Sequence, residues 1–228
     1  MDSLQLREHE IFELLKQLED VEVVLIGGYA VSAHTLPRFS VDCDFVVKDA
    51  EATKTIERIL TKNAYSKVSL KNLKEAYRGT FKKYEKELEN GFVVSVDLLI
   101  GELIDRQTGG CTEAEWIFQH SAKRELKGKT FPEKIQLRVI DLDALVVLKL
   151  IACRATDIRD VFMLAPQIQD AAWVRGEVAT RTDFKKQFAK LKEKISSKGF
   201  RDGLQGVYSR IDEKVFQKHV KSVLALEE

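Results

Sequence analysis

Cysteine and proline are scarce in this chain, at three residues each out of 228. Cys43, Cys111 and Cys153 stand far apart, without a CxxC pair. That argues against a disulfide scaffold and a cysteine-based zinc site, and fits a reducing, cytoplasmic setting. Four histidines, His9, His34, His120 and His219, show no metal-ligand spacing and read as structural or exposed. Three prolines and twelve glycines leave no room for a flexible linker or a low-complexity tract. No apolar run approaches the roughly 18 residues that a membrane-spanning helix needs, so no membrane association is expected. The first residues, MDSLQLREHEIFELLKQLED, are charged throughout and are expected to form an amphipathic helix, not a signal peptide.

What remains is a globular composition: 44% hydrophobic and 32% charged residues, in a chain long enough to bury a sizeable core. The net charge of +1 hides an asymmetry, because residues 175–221 carry 13 Lys/Arg against 6 Asp/Glu. Such a segment suits a polyanionic partner such as RNA or tRNA; a solvated helical face explains it equally well. Leu4, Ile11, Leu14, Leu15 and Leu18 recur at helical spacing over residues 3–18. VEVVLI, residues 21–26, reads as a strand ended by Gly27-Gly28, with a short helix over 29–36 before Pro37. VDCDFVV, 41–47, reads as a second strand, and 50–63 as a helix. Glu89-Asn90-Gly91 predicts a hairpin between strands near 79–88 and 92–100, and 136–140 adds another strand. From Asp141 onward the pattern is helical, with DLDALVVLKLIACRATDIRDVFMLAPQ as one long apolar stretch. The expected plan is an N-terminal domain over 1–138 with strands and helices, and a helical domain over 139–228.

Chemistry concentrates in VLIGGYAVSAHTLPRFSVDCDFVV, residues 24–47. Side chains alternate along a strand, so Asp42 and Asp44 share one face while Cys43 and Phe45 point to the core. Two adjacent carboxylates repel, and either a proton or a cation must relieve them. Asp97, in SVDLL, is a third acid inside an apolar strand, where an unpaired carboxylate is rare. Three such groups suit one or two magnesium ions, which favour carboxylate oxygens together with substrate phosphates. A Gly-Gly turn between strand and helix lets a phosphate approach the backbone, and the N–H groups opening that helix bind it. Each piece alone has an ordinary explanation: a plain turn, an exposed edge pair, a structural aspartate. The order strand–GG–helix–strand–DxD, then strand–Asp, is what points to nucleotide and metal.

That order resembles the polymerase-beta-type nucleotidyltransferase superfamily, through Ile26-Gly27-Gly28, Asp42, Asp44 and Asp97. Within it, Gly27-Gly28 followed by Arg38, Ser40, Asp42 and Asp44 looks like the AbiEii-type nucleotidyltransferase toxins. A second block, KLIACRATDIRD, supplies Lys149, Leu150, Arg154, Arg159 and Asp160 in the pattern of those toxins. The resemblance implies an α+β fold: a nucleotidyltransferase-type mixed sheet with flanking helices, followed by an α-helical C-terminal domain. It implies magnesium, two ions by expectation, and a nucleoside triphosphate (NTP) substrate. Asp42, Asp44 and Asp97 would hold metal and carry catalysis. Gly27, Gly28, Arg38, Ser40, Lys149 and Asp160 would serve the nucleotide, the last two from the helical domain. Lys149 lies eleven residues before Asp160, about three turns if one helix carries both. A lysine so surrounded by Val and Leu wants an anionic partner; snorkelling to solvent is the plainer alternative. The match departs at Asp157, where a basic residue is commoner.

The activity implied is transfer of a nucleoside monophosphate from an NTP to an acceptor hydroxyl, RNA or tRNA among the acceptors, by the toxin of a toxin–antitoxin pair. A small-molecule nucleotidyltransferase and a non-catalytic nucleotide-binding module are the alternatives. Arg38 and Ser40 are equally compatible with a surface site and a turn. RQTGGCT, 106–112, suits a mobile lid or an ordinary loop, the latter preferred. Trp116 and Phe118 suit base stacking or core packing. In KKQFAKLKEKISSKGFR, the Phe184, Phe188, Leu191 and Ile195 spacing makes an amphipathic helix whose lysines face solvent or RNA phosphate.

Overall fold

The computed structural model describes residues 3–69, 80–89, 91–208 and 211–227. Residue 79, expected to open a strand, Asn90, expected at a hairpin apex, and Arg210 of the basic segment lie outside them. The chain divides into two compact units. The first comprises Met1–Ala33, Pro37–Ile104 and Cys111–Ile140; the second comprises His34–Leu36, Asp105–Gly110 and Asp141–Glu228.

The first unit runs α1 (Ser3–Lys16), β1 (Val24–Ile26), α2 (Gly27–His34), β2 (Asp42–Val47), α3 (Ala50–Lys62), β3 (Ser66–Lys67), β4 (Thr80–Glu87), β5 (Val93–Ile100), β6 (Glu102–Ile104), β7 (Cys111–Glu113), α4 (Ala114–Gln119), β8 (Ser121–Lys127) and β9 (Lys134–Ile140). Seven strands form one mixed sheet in the order β3-β4-β5-β2-β1-β9-β8, and β6 and β7 pair separately. β2 runs parallel to β5 and β1 parallel to β9; the other neighbours are antiparallel. The central strands are buried along much of their length, β1 at every position. Cys43 and Phe45 of β2, and Val94, Val96 and Leu98 of β5, are fully buried. Each large apolar side chain removed from water in this way contributes about 2 kcal/mol before entropy is counted. Ile11, Phe12, Leu14 and Leu15 of α1 and Ile56 and Leu60 of α3 belong to the same core. Asp49 caps α3 by accepting from the N–H groups of Glu51 and Ala52, both at 2.9 Å.

The Leu88–Phe92 hydrogen bond (2.8 Å) and Gly91 at φ +76° close the β4–β5 hairpin. Strand β8 is absent from the sequence expectation. SAKRELK has a charged outward face and only Leu126 buried, the signature of an edge strand; its pairing with β9 along its whole length defines it. α2 begins at Gly27, earlier than its pattern suggests, so both glycines sit in the opening turn of that helix.

The second unit is helical: α5 (Leu142–Ala152), α6 (Ala155–Leu164), a 3-10 turn (Ala165–Gln167), α7 (Ala171–Ala179), α8 (Phe184–Ile195), α9 (Lys198–Tyr208) and α10 (Glu213–Leu224). α5 is buried nearly all round and packs against α6, α7 and α8. Phe184, Phe188, Leu191 and Ile195 form the buried face of α8, as their spacing predicts. The long apolar stretch is two helices, not one. Cys153 takes the left-handed conformation, φ 45°, and breaks the chain between α5 and α6.

Candidate active site

The opening of α2 fixes one side of the site in the first unit. β1 ends at Ile26, which pairs with Asp44 of β2. The next residue, Gly27, has φ +67°, a conformation that favours glycine. A Cβ there would fall 2.7 Å from Asp44 Cγ and overlap Asp44 Oδ2. A Cβ on Gly28 would overlap Ser40 Oγ and lie 3.1 Å from Arg38 Nη2. The glycines are therefore demanded by the side chains the sequence placed downstream, and Arg38 and Ser40 line that helix start. Arg38 is 8% exposed, so the surface reading fails. Its guanidinium donates to Phe39 O at 3.3 Å, and its N–H to Ser32 Oγ at 3.3 Å. Tyr29 Oη donates to Ser40 O at 3.3 Å, tying that loop to the helix. The first N–H groups of a helix have no intrahelical acceptor, and here they open beside Arg38.

The sheet register assembles the acids. Asp44 lies directly opposite Asp97 in the parallel β2–β5 pair, and Asp42 opposite Ser95. All four share the face that carries neither Cys43 nor Phe45. Ser95 Oγ donates to Asp42 Oδ1. One strand further out, β4 sets Lys83 opposite Asp97 and Glu85 opposite Ser95. Lys83 Nζ is 3.2 Å from Glu85 Oε1. Burial alone would lower the Lys83 ammonium; the Glu85 hydrogen bond and the charges of Asp97, Glu85 and Asp42 outweigh it and raise it above the ordinary lysine value. On the opposite face, burial pushes the Cys43 thiol well above its usual range, and the charges of Asp44, Asp42 and Asp97 push it further. Cys43 is thus a neutral core residue.

In the second unit, Lys149 Nζ binds Asp157 Oδ1 at 2.9 Å and Asp160 Oδ2 at 3.1 Å. Asp160 is fully buried, and Arg159 Nε stands 3.9 Å from its other oxygen. Lys149 and Asp160 belong to different helices, so the break at Cys153 and not a shared stripe brings them together. Asp157 also accepts from the N–H of Arg154 at 3.2 Å, capping α6. Burial would depress Lys149, but Asp157 and Asp160 together hold it above the ordinary lysine value. Snorkelling is excluded. Of the 106–112 segment, 106–110 is a pinned loop and Cys111 and Thr112 already belong to β7: Asp105 accepts from Gln107 N (3.0 Å), Thr108 N (2.9 Å) and Arg154 Nη2, and Gly110 O accepts from Asp105 N at 2.9 Å. Phe118 is core, and Trp116 packs against His120 in a tilted ring pair with centres 4.4 Å apart.

The family model described as "Nucleotidyl transferase AbiEii toxin, Type IV TA system" matches residues 11–227. This chain belongs to the AbiEii family. It is a nucleotidyltransferase of the toxin class. Solved structures agree on the fold. A putative nucleotidyltransferase from H. pylori is 14% identical with TM-score 0.56, covering 99% of this chain and 95% of its own. MenT4, a nucleotidyltransferase toxin from Mycobacterium tuberculosis H37Rv, is 16% identical with TM-score 0.61, covering 97% of this chain and 82% of its own. No curated protein matches it.

For an AbiEii-family site, the first unit brings together Gly27, Gly28, Arg38, Ser40, Asp42, Asp44 and Asp97, and the second brings Lys149 to Asp160. The acid row offers carboxylate oxygens, the donors a hard divalent cation favours, and the bare Gly27 leaves the Asp44 carboxylate room beside the start of α2. Among the described residues, no group of three or more His, Cys, Asp or Glu side chains is drawn up as a ready-made metal cage. Magnesium does not require one, because substrate phosphates complete its shell. Ser95 and Lys83 escaped the sequence reading, and Asp157, noted there only as a departure from the toxin pattern, proves to be a partner of Lys149. Ser95 was within reach of it, two residues before Asp97 and so on the same strand face. Lys83 was not, because only register places it there.

Proposed function

We propose that this AbiEii-family chain moves a nucleoside monophosphate from an NTP to an acceptor hydroxyl. The oxygen–phosphorus bond to the acceptor forms at the α-phosphate, the bond to the β-phosphate bridge breaks, and pyrophosphate leaves with the electron pair. Asp42, Asp44 and Asp97 would hold magnesium, two ions at full occupancy, which lowers the charge on the triphosphate and on the entering and leaving oxygens. Gly27 and Gly28 cradle phosphate with backbone N–H groups, and Arg38 and Ser40 flank it. Asp97 takes the hydroxyl proton or shares the second ion. Lys149, anchored by Asp160, is our assignment to the nucleotide phosphates.

The observation that carries this reading is the fit of Gly27 to Asp44. The glycine turn and the carboxylate pair form one device, not two coincident motifs. An RNA acceptor is favoured by α8, where Lys185, Lys186, Lys190 and Lys194 are exposed on the face away from Phe184 and Leu191. We also assign this chain a cognate antitoxin, which the toxin class supports, and a cytoplasmic site of action, which accords with its free thiols. The test is incubation with magnesium, each α-labelled NTP and total RNA. Label should enter RNA, and Asp44→Asn should reduce it at least 100-fold. Transfer by Asp44→Asn at the wild-type rate would refute the assignment.

A further inference from the structure

The glycine turn, the acids and one cation lie on successive strands. Across the site the order is β1, β2, β5, β4. Gly27 follows β1, Asp42 and Asp44 lie on β2, Asp97 on β5, and Lys83 on β4 directly opposite Asp97. Neighbouring strands are about 4.8 Å apart, so Lys83 is the next side chain beyond Asp97 on the flank away from the glycines. Directly opposed side chains on an antiparallel pair stand close enough to interact. In-line transfer puts the entering oxygen opposite the departing pyrophosphate. With the triphosphate on the glycine side, the acceptor enters from the β4 side.

We infer that Lys83 is an acceptor-side residue, whose ammonium binds a phosphate of the acceptor next to the hydroxyl that reacts. This rests on the proposed nucleotidyl transfer and adds the chemical class of the acceptor at that flank. Lys83 is partly exposed, with 29% of its side chain open, and its pair with Glu85 is of the modest surface kind. An ammonium has three donors, so Glu85 leaves two for an incoming oxyanion. A single-stranded RNA end, whose last phosphate is one ribose away from its terminal hydroxyl, suits the site.

The experiment uses the full chain, magnesium, labelled NTP and bulk tRNA as probe, comparing wild type with Lys83→Met and Lys83→Arg, and with circular dichroism to confirm folding. Lys83→Met should leave the Mg·NTP dissociation constant within twofold and raise KM for RNA about tenfold. It should also flatten the slope of log KM against log salt by about 0.7. Lys83→Arg should restore most of the loss; were Met to unfold the chain, Lys83→Gln would take its place. The inference is overturned if KM and salt slope for RNA are unchanged, if NTP affinity falls in step with RNA affinity, or if only protein or cationic small molecules accept label. Those results leave nucleotidyl transfer standing. Absence of magnesium-dependent NTP binding by the wild type would overturn both.

Discussion

Gly27 shows how tightly one residue is held by another seventeen positions away. Its φ of +67° is costly for any other residue, and a Cβ would occupy the space of the Asp44 carboxylate. Gly27→Ala should therefore displace Asp44 before it disturbs the core. We expect transfer to drop at least 100-fold, with a stability loss of about 1–2 kcal/mol in urea unfolding. A variant that kept wild-type transfer would mean that the carboxylate does not need its present position. Gly28 makes the same argument against Ser40 and Arg38. These were the most legible residues in the sequence, because a diglycine after an apolar strand and two acids one residue apart each carry a cost that needs an explanation.

At the scale of elements, α1 is anchored by a residue its amphipathic pattern does not announce. Glu8 is 2% exposed and accepts from the N–H groups of Lys129 (2.6 Å), Thr130 (2.6 Å) and Phe131 (3.0 Å), and from Thr130 Oγ1. Helical spacing identifies Ile11, Leu14 and Leu15 as core but says nothing about an acid whose partners lie 121 residues further on or more. Glu8→Ala strips the shared acceptor from three backbone N–H groups and a hydroxyl, the Phe131 N–H among them buried, and should cost about 2 kcal/mol in urea unfolding, while activity per folded molecule is retained. A loss under 0.5 kcal/mol would show that water replaces the carboxylate without penalty. In α5 and α6, Lys149 makes a comparable anchor with Asp157 and Asp160. Its folded pKa lies above the unfolded value near 10.5, so its contribution is complete below that pH and is lost as pH rises through the folded value. The stability gap between wild type and Lys149→Met, about 3 kcal/mol, should be constant from about pH 7 to 9 and shrink above about 10.5. A gap that widened with pH would contradict the pairing. The helix break at Cys153 was not legible, because VVLKLIACRATDIRD has neither glycine nor proline to mark it.

Over the whole chain, alternation and turn chemistry gave the central strands, and helical period gave α1, α3 and α8, because those elements bury one face and repeat accordingly. Register is what no single stretch records. It sets Asp97 beside Asp44 through a parallel pair, and Lys83 beside Asp97 through an antiparallel one. The pairing of β8, a charged edge strand, is fixed only by β9. The resemblance to AbiEii toxins supplied the link between distant segments that local patterns lack, and the family match over 11–227 supports it. The most direct measurement of the central claim is manganese binding, followed by electron paramagnetic resonance with a non-hydrolysable NTP analogue present. We predict saturable binding by the wild type, weakened at least tenfold by Asp97→Asn and by Asp44→Asn alike. An Asp97→Asn isotherm that overlays the wild type would contradict it, since the third acid would then take no part in holding the ion.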